Sequence, residues 1–346
     1  MAYTTIDNPE LYFQAKAWTG TGNEIAITFD GSENMQPDWV WLKKRSASGI
    51  HVAHDSVRGA TKRLIPNNND AETTQAQYVK SFDSNGITFG TDSDINASGA
   101  TAILWGWKAG GSASSNSNGT ITSSVSVSTD AGFSIVTYTG NGTAGATIGH
   151  GLGSVPKWII VKVRNTTNEW VVYHTSLGAT KFIEMNSSGA SQTNSTRFND
   201  TEPTSSVFSV GTAAGLNTNN DTHVAYCFAE KKGYSKFGSY TGNGNADGTF
   251  VYTGFKPAWV LVKNTSGSGD NWILVDNKRL GYNPDNRLLF PNATNAEYTD
   301  NNLDLLSNGF KARVSYDPNG SGNTMIYMAF AESPFVNSNG VPNNAR

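Results

Sequence analysis

The chain has 346 residues, a formal net charge of −3 and a charged fraction of 15 %, against roughly 25 % in ordinary globular chains. The slightly negative charge argues against a surface that neutralises nucleic-acid phosphates, and an aromatic content of 11 % with nine Trp excludes a disordered chain. The single cysteine, Cys227, excludes an intrachain disulfide framework and a four-cysteine zinc site.

Residues 1–14 (MAYTTIDNPELYFQ) form a polar N-terminal segment that carries three aromatic side chains, Tyr3, Tyr12 and Phe13. The segment lacks a basic region followed by an apolar one, so we expect no secretory leader. We predict an extended N-terminal arm that docks on another subunit by strand addition. The alternative is that the arm folds back onto its own chain.

Three segments share the same series of motifs, and we call them unit one (15–111), unit two (132–233) and unit three (234–335). Each opens with an aromatic residue followed by Thr-Gly-x-Gly, at 18–22, 138–142 and 240–244. A Pro-x-Trp motif with an apolar strand follows at 37–43, 156–162 and 257–263, and an aromatic strand closes each unit at 103–107, 224–228 and 326–330. Landmarks at nearly constant spacing predict three copies of one fold unit.

The connections between the units differ in composition. Residues 112–131 are rich in Gly, Ser and Asn, which predicts a flexible linker. The second junction, around 229–238, leads directly from one motif into the next, so we expect units two and three to be in fixed contact. Residues 336–346 form a C-terminal tail.

Short β-branched and aromatic runs alternate with Gly and Asn throughout the units, and no segment sustains helical periodicity. This pattern predicts an all-β protein of three tandem β-sandwich repeats, jelly-roll-like in type, preceded by the short extended arm. The conserved spacing of large rings predicts a core in each repeat, built on Trp39, Trp107, Trp158, Phe228, Trp259 and Phe330.

These motifs resemble an uncharacterised repeat domain common in structural and tail-fibre-like proteins of tailed bacteriophages, many of them marine. The resemblance covers nearly the whole chain, and its most specific parts are 55–63 (DSVRGATKR) and 104–111 (LWGWKAGG). Unit two departs from it, because the stretch from His174 lacks the Asp and the Arg, whereas unit three keeps Asp276 and Arg279. The resemblance implies a virion protein and provides no catalytic residue.

Metal ligands are sparse in the sequence. His51 and His54 are three residues apart and precede Asp55, but on a strand this spacing places the rings on opposite faces. His150, His174 and His223 are isolated. A loop precedes each closing strand, and the third (317–322, DPNGSG) begins like a calcium-binding loop, although its twelfth position is Met328 instead of Glu. Asp92, Asp94, Asp317 and Asn319 are the candidate ligands of a divalent ion, but we favour polar hairpin loops and predict no metal and no cofactor.

Catalytic motifs are also missing from the sequence. Asp83, Asp92 and Asp94 are candidate carboxylates for glycoside hydrolysis, but no second cluster or signature accompanies them. No nucleophile elbow or phosphate-binding loop is present. The basic residues 43–45 and 62–63 could contact an acidic partner, although we favour a solvated face or ordinary ion pairs with Asp38 and Asp55. We therefore predict that the protein is not an enzyme.

The expected function is that of a bacteriophage virion structural protein, made in the host cytoplasm and located on the exterior of the particle. We favour a tail-fibre or appendage component for attachment to the host surface. The alternative is capsid decoration, since three units in one chain imitate a trimer and fit a pseudo-threefold lattice position. A polysaccharide-cleaving tailspike is the third candidate. Expected partners are other virion proteins of the tail or capsid and a host-surface glycan, with no nucleic acid and no membrane insertion, and we expect an oligomer, with a trimer as one option.

Overall fold

A computed structural model describes residues 3–267, 269–279, 283 and 287–342. About 43 % of the residues lie in short antiparallel strands and 5 % in helices, which confirms the all-β prediction. Within these described residues, the helical segments are single turns: Pro9–Leu11, α1 (Ser93–Asn96), α2 (Ser195–Phe198) and α3 (Ala214–Asn217). No helix in this part of the chain has the length and apolar character needed to cross a membrane.

Unit one contains nine strands: β1 (Phe13–Thr19), β2 (Ile25–Thr28), β3 (Trp39–Lys44), β4 (His51–Asp55), β5 (Lys62–Arg63), β6 (Thr73–Thr74), β7 (Val79–Asp83), β8 (Gly86–Phe89) and β9 (Thr101–Trp107). They form a four-stranded sheet in the order β1-β9-β3-β4, a three-stranded sheet in the order β2-β8-β7 and the short pair β5-β6.

The segment 112–131 contains two strands, β10 (Ser114–Asn116) and β11 (Ser123–Ser128). β11 pairs with the first strand of unit two, and Ile121 and Val125 pack into the core of that unit. The prediction of a flexible linker is therefore wrong. Residues 123–128 (SSVSVS) alternate with period two, and Val125 and Val127 face the core of unit two. The prediction relied on the Gly, Ser and Asn content of the segment and overlooked this alternation.

Unit two contributes β12 (Phe133–Thr139), β13 (Ala146–Gly149), β14 (Trp158–Val163), β15 (Val171–His174), β16 (Lys181–Glu184), β17 (Gln192–Thr193), β18 (Val207–Val210) and β19 (Thr222–Phe228). With β10 and β11 they build an eight-stranded sheet in the order β10-β11-β12-β19-β14-β15-β16-β17, and β13 pairs with β18.

The described part of unit three contains β20 (Ser235–Thr241), β21 (Phe250–Tyr252), β22 (Phe255–Asn264), β23 (Ile273–Asp276), β24 (Arg287–Leu288), β25 (Tyr298–Thr299), β26 (Leu303–Leu306), β27 (Gly309–Ala312) and β28 (Thr324–Pro334). The sheets run β20-β28-β22-β23 and β21-β27-β26, and β24 pairs with β25.

The same strand order recurs in the three main sheets. In each, the first strand pairs with the last, the last pairs with the strand that carries the Pro-x-Trp tryptophan, and that strand pairs with its successor. The register is also equivalent, because the tryptophan faces the final aromatic residue of the closing strand: Trp39 opposite Trp107, Trp158 opposite Phe228, and Trp259 opposite Phe330.

Both faces of each main sheet are buried, and alternation along the strand divides its side chains between two cores. In β3, Trp39 and Trp41 belong to a cluster shared by all three units, whereas Val40 and Leu42 belong to a cluster made by unit one alone. β14 and β22 divide their residues in the same way between the shared cluster and a local one. This double burial explains why these strands are continuously apolar.

The N-terminal arm lies on its own chain, which corrects the prediction that it docks on another subunit. The Tyr3 hydroxyl donates to the Gly254 carbonyl over 2.8 Å. Tyr12 packs edge-on against Tyr234, and Phe13 stacks on Phe330 at 5.4 Å. The half-buried Tyr3 and Tyr12 thus contact unit three, and the buried Phe13 packs against both Trp107 of unit one and Phe330 of unit three.

The C-terminal tail is described as far as residue 342 and meets the arm. The Ser338 backbone N–H donates to the Asp7 carboxylate over 2.7 Å. An isolated β-bridge joins Val336 and Pro342. The two ends of the described chain therefore lie side by side next to unit three.

Candidate functional site

The central aromatic cluster is where the three units meet. It contains the six predicted core residues, which are at most 2 % exposed: Trp39, Trp107, Trp158, Phe228, Trp259 and Phe330. Rings stack or pack edge-on across every boundary, with centroid distances of 4.6 Å for Trp39 and Tyr226, 5.5 Å for Trp107 and Trp259, and 5.9 Å for Phe228 and Phe330. Because such aromatic pairs contribute beyond the area they bury, the cluster joins the units into one body.

A buried lysine follows each Pro-x-Trp tryptophan by four residues and reaches into a neighbouring unit. Its Nζ donates to a backbone carbonyl there: Lys43 to Thr294 of unit three (3.3 Å), Lys162 to Asn69 of unit one (3.2 Å) and Lys263 to Ser188 of unit two (3.4 Å). The contacts form a closed cycle, since unit one reaches unit three, three reaches two, and two reaches one.

Burial lowers the pKa of Lys43 and of Lys162 to about 8. The sequence interpretation treated Lys43 as part of a surface basic group, and it did not single out Lys162 or Lys263. The buried lysines could have been predicted from the sequence, because a Lys lies at the same distance from the tryptophan in all three units. The recurrence of a lysine at the end of an apolar run indicates a repeated buried contact.

A backbone hydrogen bond repeats the same cycle beside the lysines. Its donors and acceptors are Glu72 N to Arg164 O (2.7 Å), Ser191 N to Thr265 O (3.1 Å) and Glu297 N to Arg45 O (2.8 Å). In two of the three places the side chains add an ion pair, between Glu72 and Arg164 at 2.9 Å and between Glu297 and Arg45 at 2.7 Å. Arg45 of the predicted basic group is therefore used inside the chain.

Residues 55–63 lie at the boundary between units one and two. The Arg58 guanidinium is fully buried and pairs with Asp55 and with Glu72. The Tyr226 hydroxyl of unit two donates to the Asp55 carboxylate over 2.7 Å. Burial alone would raise the pKa of Glu72, but hydrogen bonds and charges from Arg164 and Arg58 outweigh it and lower that pKa. The most specific motif of the sequence thus has a structural use that needs no ligand.

The same position in the other units explains how unit two departs from the motif. In unit three, Asp276 pairs with Arg279 and accepts a hydrogen bond from Trp105 Nε1 of unit one over 2.9 Å. In unit two, His174 stands opposite Trp158 at the position that Asp55 and Asp276 occupy opposite their own tryptophans. Its ring packs edge-on against Trp158 at 5.0 Å, so an aromatic contact replaces the ion pair.

One buried asparagine holds the loop before each closing strand. In unit two, Asn217 Nδ2 donates to the carbonyls of Thr143 and Gly211, over 2.9 and 3.0 Å, and its Oδ1 accepts from Asn141 N over 2.9 Å. Asn96 and Asn319 make the equivalent three contacts in units one and three. The asparagine therefore fastens the Thr-Gly-x-Gly opening loop of its unit to the closing strand.

This close contact also explains the first glycine of the opening motif. A Cβ atom at Gly140 would lie 2.3 Å from the Thr218 carbonyl oxygen, and one at Gly20 would lie 2.3 Å from the Ala97 carbonyl oxygen. Backbone contacts of that kind leave no room for any side chain. The Thr-Gly-x-Gly motif and the buried asparagine of each unit therefore belong to one contact. The sequence analysis considered the two features separately.

The candidate metal ligands are engaged in other ways. Asp92 caps the N-terminus of α1, and Asp94 accepts a hydrogen bond from the Tyr78 hydroxyl over 2.6 Å. Asn319 is the asparagine of the unit-three fastening. Burial, with the nearby Asp270 carboxylate adding to it, raises the pKa of Asp317 to about 7. Within the described residues, no three acidic, histidine or cysteine side chains are grouped so that they could hold a metal ion.

The candidate hydrolytic carboxylates do not form a catalytic pair of their own. Asp83 accepts hydrogen bonds from the hydroxyls of Ser81 and Thr88, over 2.6 and 2.8 Å, within its own hairpin. Asp92 and Asp94 are committed to the capping and tyrosine contacts already described. All three carboxylates therefore have structural partners in unit one.

All five histidines are buried. Three rings accept at Nδ1 from a group that can only donate: His51 from Trp41 Nε1 (3.0 Å), His150 from Leu152 N (3.2 Å) and His174 from Ser176 N (2.9 Å). His51 contacts the shared cluster while the His54 ring stacks on Tyr78 of the local core, so the two rings lie on opposite faces of β4 as expected. Burial lowers the pKa of every histidine.

A family described as a domain of unknown function (DUF7483) matches residues 8–334. The chain belongs to this family. The matched span includes units one and two, the segment 112–131, unit three except its last residue and the second half of the arm, which agrees with a structure in which these parts share one central cluster. Searches among curated proteins and among solved structures found no match.

Proposed function

We propose that this chain is a non-enzymatic structural protein on the exterior of a tailed bacteriophage particle, most simply a tail-fibre or appendage component that attaches to the host surface. In this proposal its three units are tandem β-sandwich repeats of jelly-roll-like type. The observation that carries the proposal is the closed cycle of lysine contacts around the central aromatic cluster. Such a cycle makes a rigid knob from a single chain and leaves the outer loops free to meet a partner.

The cycle also favours a second candidate, a capsid decoration protein. Three equivalent contacts in one direction give the chain a pseudo-threefold axis, and such a body fits over a threefold position of a lattice. The partners would then be capsid subunits in place of tail subunits. A polysaccharide-cleaving tailspike is the least favoured candidate, because the carboxylates proposed for it have structural partners.

Copy number per particle distinguishes these candidates. Purified particles of the phage that encodes the chain would be digested, and peptides of this chain would be counted by mass spectrometry against those of the major capsid protein in the same digest. About six, twelve or eighteen copies would support a tail position, and about a hundred or more would support decoration of the capsid. Absence from the particles would overturn both proposals.

A further inference from the structure

Unit three has a cavity of about 230 Å³ beside the β24–β25 pair. Its polar lining includes the carboxylates of Asp270, Asp300 and Asp317 and the amide of Asn302. Tyr298 and Tyr316 stand at its edge, each 55 % exposed. The Tyr316 hydroxyl donates to Asp300 over 2.9 Å, which orients that ring relative to the acidic lining.

The corresponding space is filled in units one and two. The backbone N–H six residues before the fastening asparagine donates to the carbonyl of Tyr78 in unit one, Arg197 in unit two and Asn302 in unit three, over 2.7 to 2.8 Å. These three residues are therefore equivalent in position. Two of them have long side chains and the third does not.

A cation–π pair occupies the space in the first two units. In unit one the Arg63 guanidinium lies over the Tyr78 ring at 4.8 Å from its centroid. In unit two the roles are exchanged, with Arg197 over the Phe182 ring at 4.6 Å. The equivalent pair in unit three is Leu288 and Asn302, whose side chains are too small to fill the same volume, and both line the cavity.

The lining of the cavity contains a buried polar group that lacks a partner. Asn302 is 4 % exposed, and its Oδ1 has no hydrogen-bond partner among the residues the structure describes. The Oδ1 of Asp317 is in the same state within that part of the chain. Because buried polar atoms in folded proteins are nearly always hydrogen-bonded, these two groups point to a ligand that supplies hydrogen bonds.

We propose that this cavity binds a neutral sugar ring. Exposed tyrosine rings offer flat surfaces to the C–H face of a pyranose, and carboxylate and amide oxygens accept hydrogen bonds from its hydroxyls. Three carboxylates disfavour an acidic sugar through charge repulsion. The proposal deepens the host-attachment function and rests on it for its biological meaning, since the sugar would belong to the host surface.

The test uses the whole chain and the methyl glycosides of glucose, mannose and galactose, with methyl glucuronide as the acidic comparison and Ca²⁺ alone as a third arm. Saturation-transfer NMR detects binding, and titration calorimetry measures it. We expect at least one neutral glycoside to bind with a Kd of about 1 mM, typical of a small ligand with few contacts. Methyl glucuronide should bind at least about tenfold more weakly. Failure of all three neutral glycosides, equal binding of the glucuronide, or binding of Ca²⁺ without any sugar would overturn the proposal.

Variants locate the site. Tyr298→Ser should weaken sugar binding at least about tenfold, and the double variant Leu288→Arg with Asn302→Tyr should abolish it by installing the unit-one pair. Tyr252→Ser is the matched control, because Tyr252 is 50 % exposed and lies outside the cavity. Sugar binding that survives the first two changes would overturn the assignment. Sugar binding at this cavity by a chain that is absent from particles would support the site while overturning the proposed virion function.

Discussion

Mild acid should unfold this protein, because its histidines are held in the neutral form. Each of the five is buried, and three accept a hydrogen bond at Nδ1 from a donor that cannot reverse its role. Burial lowers the pKa of His54 and His174 to about 3 and that of His223 to about 4, and it lowers those of His51 and His150. In the unfolded chain the same rings titrate near their ordinary value of about 6.5.

The sign and size of the effect follow from these shifts. Between the lowered folded pKa values and about 6.5, the unfolded state binds more protons, so stability is complete above that range and is lost as the pH falls. One histidine contributes about 1.4 kcal/mol per pH unit, and the four whose pKa values are lowered furthest, His51, His54, His174 and His223, together contribute about 5.5 kcal/mol per pH unit. A domain stability of about 5–15 kcal/mol would then be lost within about one to three units below pH 6.5.

Urea titrations at a series of pH values between 7 and 4, followed by tryptophan fluorescence, would measure this slope. We expect the unfolding free energy to fall steeply below pH 6, with spontaneous unfolding near pH 5. The double variant His51→Gln with His174→Gln should reduce the slope by about two protons, or about 3 kcal/mol per pH unit. A stability that stays level down to pH 4.5, or a slope that the variant leaves unchanged, would refute the reasoning.

Three further predictions concern the contacts that build the chain. Asn217→Ala should lower the unfolding free energy by about 3 kcal/mol, since it removes three hydrogen bonds of about 1 kcal/mol each, whereas exposed Asn219→Ala should change it by less than about 0.5 kcal/mol in the same urea titration. Tyr226→Phe removes a bond to the buried Asp55 carboxylate and should cost about 1.5–3 kcal/mol, and a variant as stable as the parent would contradict the role assigned to that contact. Trp158→Ala should cost about 3–5 kcal/mol and lower one common transition in calorimetry, because its ring belongs to the shared cluster; separate melting of the units would count against that sharing.

The sequence alone predicted what depends on neighbours along the chain. Alternating apolar and polar positions define strands because a strand's side chains point to opposite faces in turn, and this pattern identified the β12 and β15 regions. The apolar runs of the Pro-x-Trp motifs and the aromatic closing runs identified the β3 and β9 regions and their counterparts. Trp39, Trp158 and Trp259 were selected as core residues on spacing and size, and they lie at the centre. The serine-rich segment at 123–128 has the same alternation, but its composition outweighed that signal.

The tertiary structure decided everything that depends on residues distant in the sequence. Lys162 reads as a surface residue until its neighbour Asn69, from another unit, is known. Tyr3 and Phe13 were predicted to belong to an arm that docks on another subunit, and only the placement of unit three beside them shows their contacts within the chain. Leu288 and Asn302 are ordinary residues taken singly, and they define a cavity only by comparison with the larger pairs at the same place in the other units. Sequence patterns encode the local backbone and the faces it buries, whereas such contacts follow from how the buried faces of three sheets pack around one centre, which no local pattern records.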